Sequence, residues 1–71
     1  VNAEELKKLS SYFQKTFGEP TLVAKARPQK TDSCELYKGD EFIGVIYKDE
    51  EDDELSYNFS MAILDIDLED V

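Results

Sequence analysis

The sequence has no histidine and only one cysteine. Without histidine, neither a Ser–His nor a Cys–His nucleophile pair can be assembled. A single cysteine excludes a disulfide within the chain, and Cys and His together are too few for a structural zinc site. No GxGxxG, Walker or CxxC pattern is present. No segment approaches the run of about 18 apolar residues that spans a bilayer. Basic residues are also scarce: eight Lys/Arg stand against 17 Asp/Glu, for a net charge of −9. A protein of that sign is repelled by phosphate backbones, so nucleic-acid binding is not expected. The opening residues, VNAEELKKL, lack the charged-then-apolar layout of a secretion signal. With a lone thiol, Cys34, that gives the expectation of a reducing cytoplasm and no membrane.

Carboxylates are plentiful, but paired-acid catalysis needs a deep cleft, which a chain of 71 residues hardly encloses. The expectation is a non-enzyme with no catalytic, cofactor-binding or metal-ligating residue. Cys34 reads as a small core residue. Asp49–Glu54, six acids in a row, lacks the spaced ligands and central glycine of an EF-hand loop and reads as a solvated loop. Asp65, Asp67 and Glu69 read as charges that keep an exposed strand end from aggregating. Weak divalent-cation binding by these acids, or mimicry of nucleic acid toward a basic protein partner, is the alternative function class.

The charge is unevenly placed. Residues 1–30 hold six Lys/Arg against three Glu, a balance of +3, whereas residues 31–71 hold two Lys against fourteen Asp/Glu, a balance of −12. Lys7, Lys8, Lys15, Lys25, Arg27 and Lys30 are thus positioned to meet the acidic half of the same molecule or of a second copy.

The first element is a helix over residues 3–17. Asn2 suits the N-cap and Glu5 the N3 position of a capping box, with Val1 and Leu6 placed as a hydrophobic staple. Leu6, Leu9, Phe13 and Phe17 form one apolar face, Gly18 suits a left-handed C-terminal cap, and Pro20 blocks continuation. Thr21–Arg27 alternates as an edge strand, with Leu22, Ala24 and Ala26 on one face. Pro28–Ser33 reads as a polar loop, Ser33–Lys38 as a short strand, and Gly39-Asp40 as a tight turn. Phe42–Tyr47, FIGVIY, is apolar except at Gly44, which predicts a strand covered on both faces, with Gly44 at a bulge or a close approach.

In Leu55–Leu68 (LSYNFSMAILDIDL), Leu55, Tyr57, Phe59, Met61 and Ile63 alternate with small or polar residues, the period of a half-buried strand. Fourteen residues in one strand would run about 46 Å. A compact chain of this length has a radius of gyration of about 11 Å and a diameter near ~30 Å. The apolar phase also shifts to Leu64, Ile66 and Leu68. A bulge, bend or crossing is therefore expected near Ala62–Leu64, separating a core strand from a terminal strand segment; a short terminal helix is the lesser alternative, because Asp65 and Asp67 weaken it.

The expected fold class is α+β, one domain over residues 1–71 with an N-terminal helix packed on a three- to four-stranded antiparallel sheet. One helix covers one sheet face, and no remaining segment covers the other. A second copy of the chain is the economical cover, so a homodimer is expected. Its interaction surface is assigned to Ile63, Leu64, Ile66 and Leu68, with Tyr47.

GDEFIGVIYKDEEDDELSYNFSMAILDIDL (Gly39–Leu68), together with AKARP at Ala24–Pro28 and a helix ending in Phe17, resembles a small domain-of-unknown-function family. Its members occur chiefly in alphaproteobacteria, and the likeness covers nearly the whole chain. It implies an α+β domain with a helix on an antiparallel sheet. It supplies no catalytic or ligand residue.

Overall fold

The computed structural model describes every residue except Asp70. Helix α1 spans Ala3–Phe17 and is followed by β1 (Leu22–Arg27), β2 (Lys30–Lys38), β3 (Glu41–Glu51) and β4 (Glu54–Ser60), with a 3-10 turn at Asp65–Leu68. The strands form one antiparallel meander in the order β1-β2-β3-β4. The chain is thus α+β, one helix on a four-stranded sheet.

The ends of α1 follow from its sequence. The Asn2 side chain accepts from the Glu5 N–H at 2.8 Å, and Glu5 Oε1 accepts from the Asn2 N–H at 2.9 Å. Gly18 closes the helix at φ 63°, a conformation open to glycine without a Cβ clash. Leu9 and Phe13 point into a core completed by Leu22, Ala24, Cys34, Leu36 and Ile46. Val1 and Leu6 pack at its margin, where the Val1 ammonium also donates to the Thr31 carbonyl.

Four sequence expectations need correction. Pro28–Ser33 is not a loop: β2 begins at Lys30, and only Pro28 and Gln29 form the turn. A register shift after Ala26 lets Arg27 pair with Lys30. The Arg27 guanidinium then donates to the otherwise buried Ser33 hydroxyl at 2.9 Å. Asp49–Glu54 is not a long loop either. Asp49, Glu50 and Glu51 pair with Ser56, Leu55 and Glu54, and the connection is Asp52-Asp53 alone, at φ 50° and 63°. Two consecutive left-handed residues give the turn whose twist matches a two-residue hairpin, and Asp tolerates that conformation better than most. Ladder pairing has prevailed over charge repulsion.

The third correction concerns FIGVIY, which is not covered on both faces. Leu36 pairs with Gly44 and Tyr37 with Phe42, so Ile43 is the extra residue of a β-bulge. The bulge turns Ile43 and Gly44 to the helix side together, with Ile46, while Phe42, Val45 and Tyr47 face away. The unbroken apolar run therefore comes from a phase slip. Phe42 and Tyr47 are 49% and 46% exposed on the open outer face. At Gly44 the anticipated close approach is also present: a Cβ there would stand 2.6 Å from both Phe59 Cε1 and the Ser60 carbonyl oxygen.

The last correction lies at the C-terminus. Strand β4 stops at Ser60, the chain has no regular structure over residues 61–64, and Asp65–Leu68 is a 3-10 turn rather than a strand. Asp67 stabilises it. Its Oδ2 accepts from the Leu64 N–H at 2.9 Å, and its own N–H donates to the Leu64 carbonyl at 2.9 Å. Aspartates that disfavour a helix interior suit this first-turn position. Its apolar side chains stay outside the core, and the molecule is elongated, with a radius of gyration of 13.1 Å and extents of 42 × 23 × 23 Å.

Candidate interaction surface

Ile63, Leu64, Ile66 and Leu68 are 64%, 59%, 66% and 56% exposed. None belongs to the core or packs against it. Tyr47, the fifth residue of the expected surface, lies in a different place. It sits on the outer sheet face opposite Ser33 and Asn58, beside the half-buried Val45 and near the edge-to-face pair Tyr37–Phe42, whose rings are 5.8 Å apart. That face is partly polar, with Lys25 over the Tyr37 ring at 4.5 Å and the Tyr37 hydroxyl donating to Glu35 at 3.2 Å. The carboxylate beside it raises the Tyr37 pKa.

A second feature follows from where α1 rests. The helix lies along β1 rather than over the middle of the sheet. Two helix side chains one turn apart hold it there. The Ser10 hydroxyl accepts from the Ala24 N–H, and the Gln14 amide donates to the Leu22 carbonyl, both at 2.8 Å. These bonds serve β1 backbone groups that have no strand partner on that side, because β1 is an edge. Since α1 is drawn to one edge, the inner face of β3–β4 is left under an open groove. It measures about 630 Å³ and is bounded by Leu9, Tyr12 and Phe13 on α1 and by Leu55 and Tyr57 on β4. Phe13 and Phe59 meet edge-to-face at 5.4 Å where α1 reaches the sheet. A smaller hollow of about 380 Å³ lies toward the other end of α1, beside Phe17, Ile43, Phe59 and Met61.

Polar groups gather at the N-terminal end of the groove. Glu5 Oε2 accepts from the Tyr57 hydroxyl at 2.6 Å and faces Lys48 Nζ at 2.8 Å. Lys48, then Tyr57, then the Asn2 backbone N–H hold the Glu5 pKa down at about 2. Reciprocally, Glu5 raises the pKa of Lys48 against the opposing effect of burial, and it raises that of Tyr57. Both carboxylate oxygens already have partners, so the cluster fixes α1 to β3–β4 and has little capacity left to move a proton. Sequence reading missed it, although one signal was present: Lys48 is in phase with Ile46 and so points to the helix side, where it needs a counter-charge.

Cys34 is fully buried, and burial raises its thiol pKa. Among the described residues, no group of three or more His, Cys, Asp or Glu is placed to hold a metal ion. No helix among them is long and apolar enough to cross a membrane.

A family model described as "Protein of unknown function (DUF3126)" matches residues 5–67. The chain belongs to the DUF3126 family. The match takes in the Glu5 cluster, the whole sheet and the C-terminal segment of this DUF3126 chain as far as Asp67. Neither a curated protein nor a solved structure matches it.

Proposed function

We propose that this DUF3126 chain is a non-enzymatic, cytoplasmic interaction module that forms a homodimer through its C-terminal segment and apolar sheet surface. The observation that carries the reading is the exposure of Ile63, Leu64, Ile66 and Leu68 within six consecutive residues. Leaving such side chains in water forgoes about 1.5–3 kcal/mol each relative to full burial. Scattered exposed apolar residues are ordinary, but a run carried outside the core marks a contact surface. The family match includes most of that run, so the segment is part of the domain's pattern. The half-exposed outer face at Phe42 and Tyr47 adds a second apolar area that a partner copy covers.

Mimicry of nucleic acid receives no comparable support. The acids of Asp49–Glu54 lie at the β3–β4 turn and those of Asp65–Glu69 beyond the other end of β4. The stretches between them carry Phe42–Tyr47 and Leu55–Phe59 rather than a continuous line of charge.

The test is sedimentation equilibrium of the native chain beside Ile66→Ser/Leu68→Ser. Both substitutions fall on exposed positions, so the melting temperature should hardly move. The native protein should approach twice its 8.1 kDa mass and the variant should stay at 8.1 kDa. Identical masses for the two would refute the reading.

A further inference from the structure

Resting on the dimer reading above, we propose that the groove between α1 and β4 is the receptor for the C-terminal segment of a second copy. Leu64, Ile66 and Leu68 lie in it, and Asp65, Asp67 and Glu69 face the lysines of α1.

Three observations lead to this pairing. The first is chemical form. From Leu64 to Glu69, apolar and acidic residues alternate, so once the short 3-10 turn at Asp65–Leu68 is drawn out to an extended chain in the groove, one edge is aliphatic and the other anionic. The groove has the matching layout, with Leu9, Tyr12, Phe13, Leu55 and Tyr57 along its walls and Lys8 at its rim. Lys7 and Lys15 stand on the neighbouring surface of α1 beside Tyr12 and Ser11. Among the described residues Lys8 reaches only Glu4, at 3.6 Å between two well-exposed side chains, and Lys7 and Lys15 form no ion pair. Asp65 and Glu69 likewise form none among them. The basic first half and acidic second half of the sequence thereby find their use between copies, because within one copy the bridges between the halves join Glu5 to Lys48, partly buried, and Glu19 to Lys38, acids of the basic half to lysines of the acidic half.

The second observation is size. About 630 Å³ falls within the range of about 300–1,000 Å³ typical of pockets that enclose a small ligand, enough for a few side chains and too small for a folded element. The third is direction. Strand β4 starts beside the groove at Leu55 and ends at the opposite hollow beside Phe17 and Met61. To enter its own groove the segment would have to reverse over residues 61–64. Instead its apolar side chains stay exposed and outside the core of its own copy. A two-fold arrangement in which each segment enters the other copy's groove satisfies both surfaces at once and closes the assembly at two chains.

The experiment mixes chain uniformly labelled with ¹³C and ¹⁵N with unlabelled chain, and records isotope-filtered contacts beside the molar mass of the same sample. Contacts between Ile66 or Leu68 methyls of one copy and the Tyr12 or Tyr57 ring of the other are expected. Tyr12 is 62% exposed, so Tyr12→Ser keeps the fold and should weaken the dimer at least tenfold. Lys8→Glu should weaken it severalfold, and Asp65→Lys in the same chain should restore much of the loss. A dimer whose filtered contacts instead join Phe42 and Tyr47 across the outer face would overturn this inference and leave the dimer reading standing. Contacts present in the uniformly labelled sample but absent after filtering would mean that the segment folds onto its own groove, which also overturns it. A monomer throughout would remove the dimer reading and this inference with it.

Discussion

Gly44→Ala adds one methyl group at a crowded point of the sheet. The new Cβ would lie 2.6 Å from Phe59 Cε1, 2.9 Å from Phe59 Cζ and 2.6 Å from the Ser60 carbonyl oxygen. Ordinary contact begins at 3.4 Å, so strand β4 must give by about 0.8 Å. The ring can turn, but the carbonyl belongs to the backbone, and Ser60 is paired with Val45. Overpacking of a core costs about 1–3 kcal/mol, and a backbone obstacle places this case near about 3. At about 4–8 °C per kcal/mol for a domain of this size, the melting temperature should fall by roughly 12–24 °C. Total stability for 71 residues is of the order of 4–11 kcal/mol, so the variant remains foldable at low temperature. The assay is urea unfolding followed by circular dichroism, with Phe59→Leu and the double variant completing a cycle. Shrinking the ring relieves only its own contact, so the double variant should recover part of the loss and no more. A loss below about 0.5 kcal/mol would refute the packing described for β3 and β4. Full recovery in the double variant would show that the ring, not the Ser60 carbonyl, sets the limit.

Replacing Asp52-Asp53 with Asn-Gly should raise stability by about 1 kcal/mol, because both positions are left-handed and glycine adopts that conformation freely; an unchanged melting temperature would contradict the turn. Glu5 has a folded pKa of about 2 against an ordinary 4.5. Its stabilising contribution is therefore full above pH 4.5 and lost as pH falls toward 2. Melting curves of the native chain and Glu5→Gln should diverge in slope within that window and nowhere else in acid, and parallel curves would contradict the Glu5–Lys48–Tyr57 cluster. Ser10→Ala leaves the Ala24 N–H without its acceptor and should cost about 1–2 kcal/mol, with faster hydrogen exchange at Ala24. Unchanged exchange would mean that α1 does not cap the edge of β1.

Helix α1 was legible nearly to the residue because its caps, apolar stripe and terminal glycine agree with one another. The helix-before-sheet order was legible from turn chemistry at Gly39-Asp40 and from alternation in β1 and β4. What misled were places where tertiary pairing overrode local signals. Charge repulsion suggested a loop at Asp49–Glu54, but the ladder extends through Glu51. An apolar run suggested two-sided burial at FIGVIY, but a bulge produced it. The phase shift from Ile63 to Leu64 did signal a break, although the strand ends three residues earlier, at Ser60, while the 3-10 turn is capped by an Asp67 side-chain bond that pattern alone does not reveal. The groove was illegible for a different reason. It exists because Ser10 and Gln14 hold α1 at the sheet edge, and periodicity indicates which face a helix buries, not how far across a sheet it sits.

Self-association can be tested on the unaltered chain by multi-angle light scattering over a dilution series from about 1 mM to about 1 μM, the span over which a modest dimer dissociates. The mass should fall from about 16 kDa, twice the chain's 8.1 kDa, toward the single-chain value. A constant 8.1 kDa across the whole series would contradict the account.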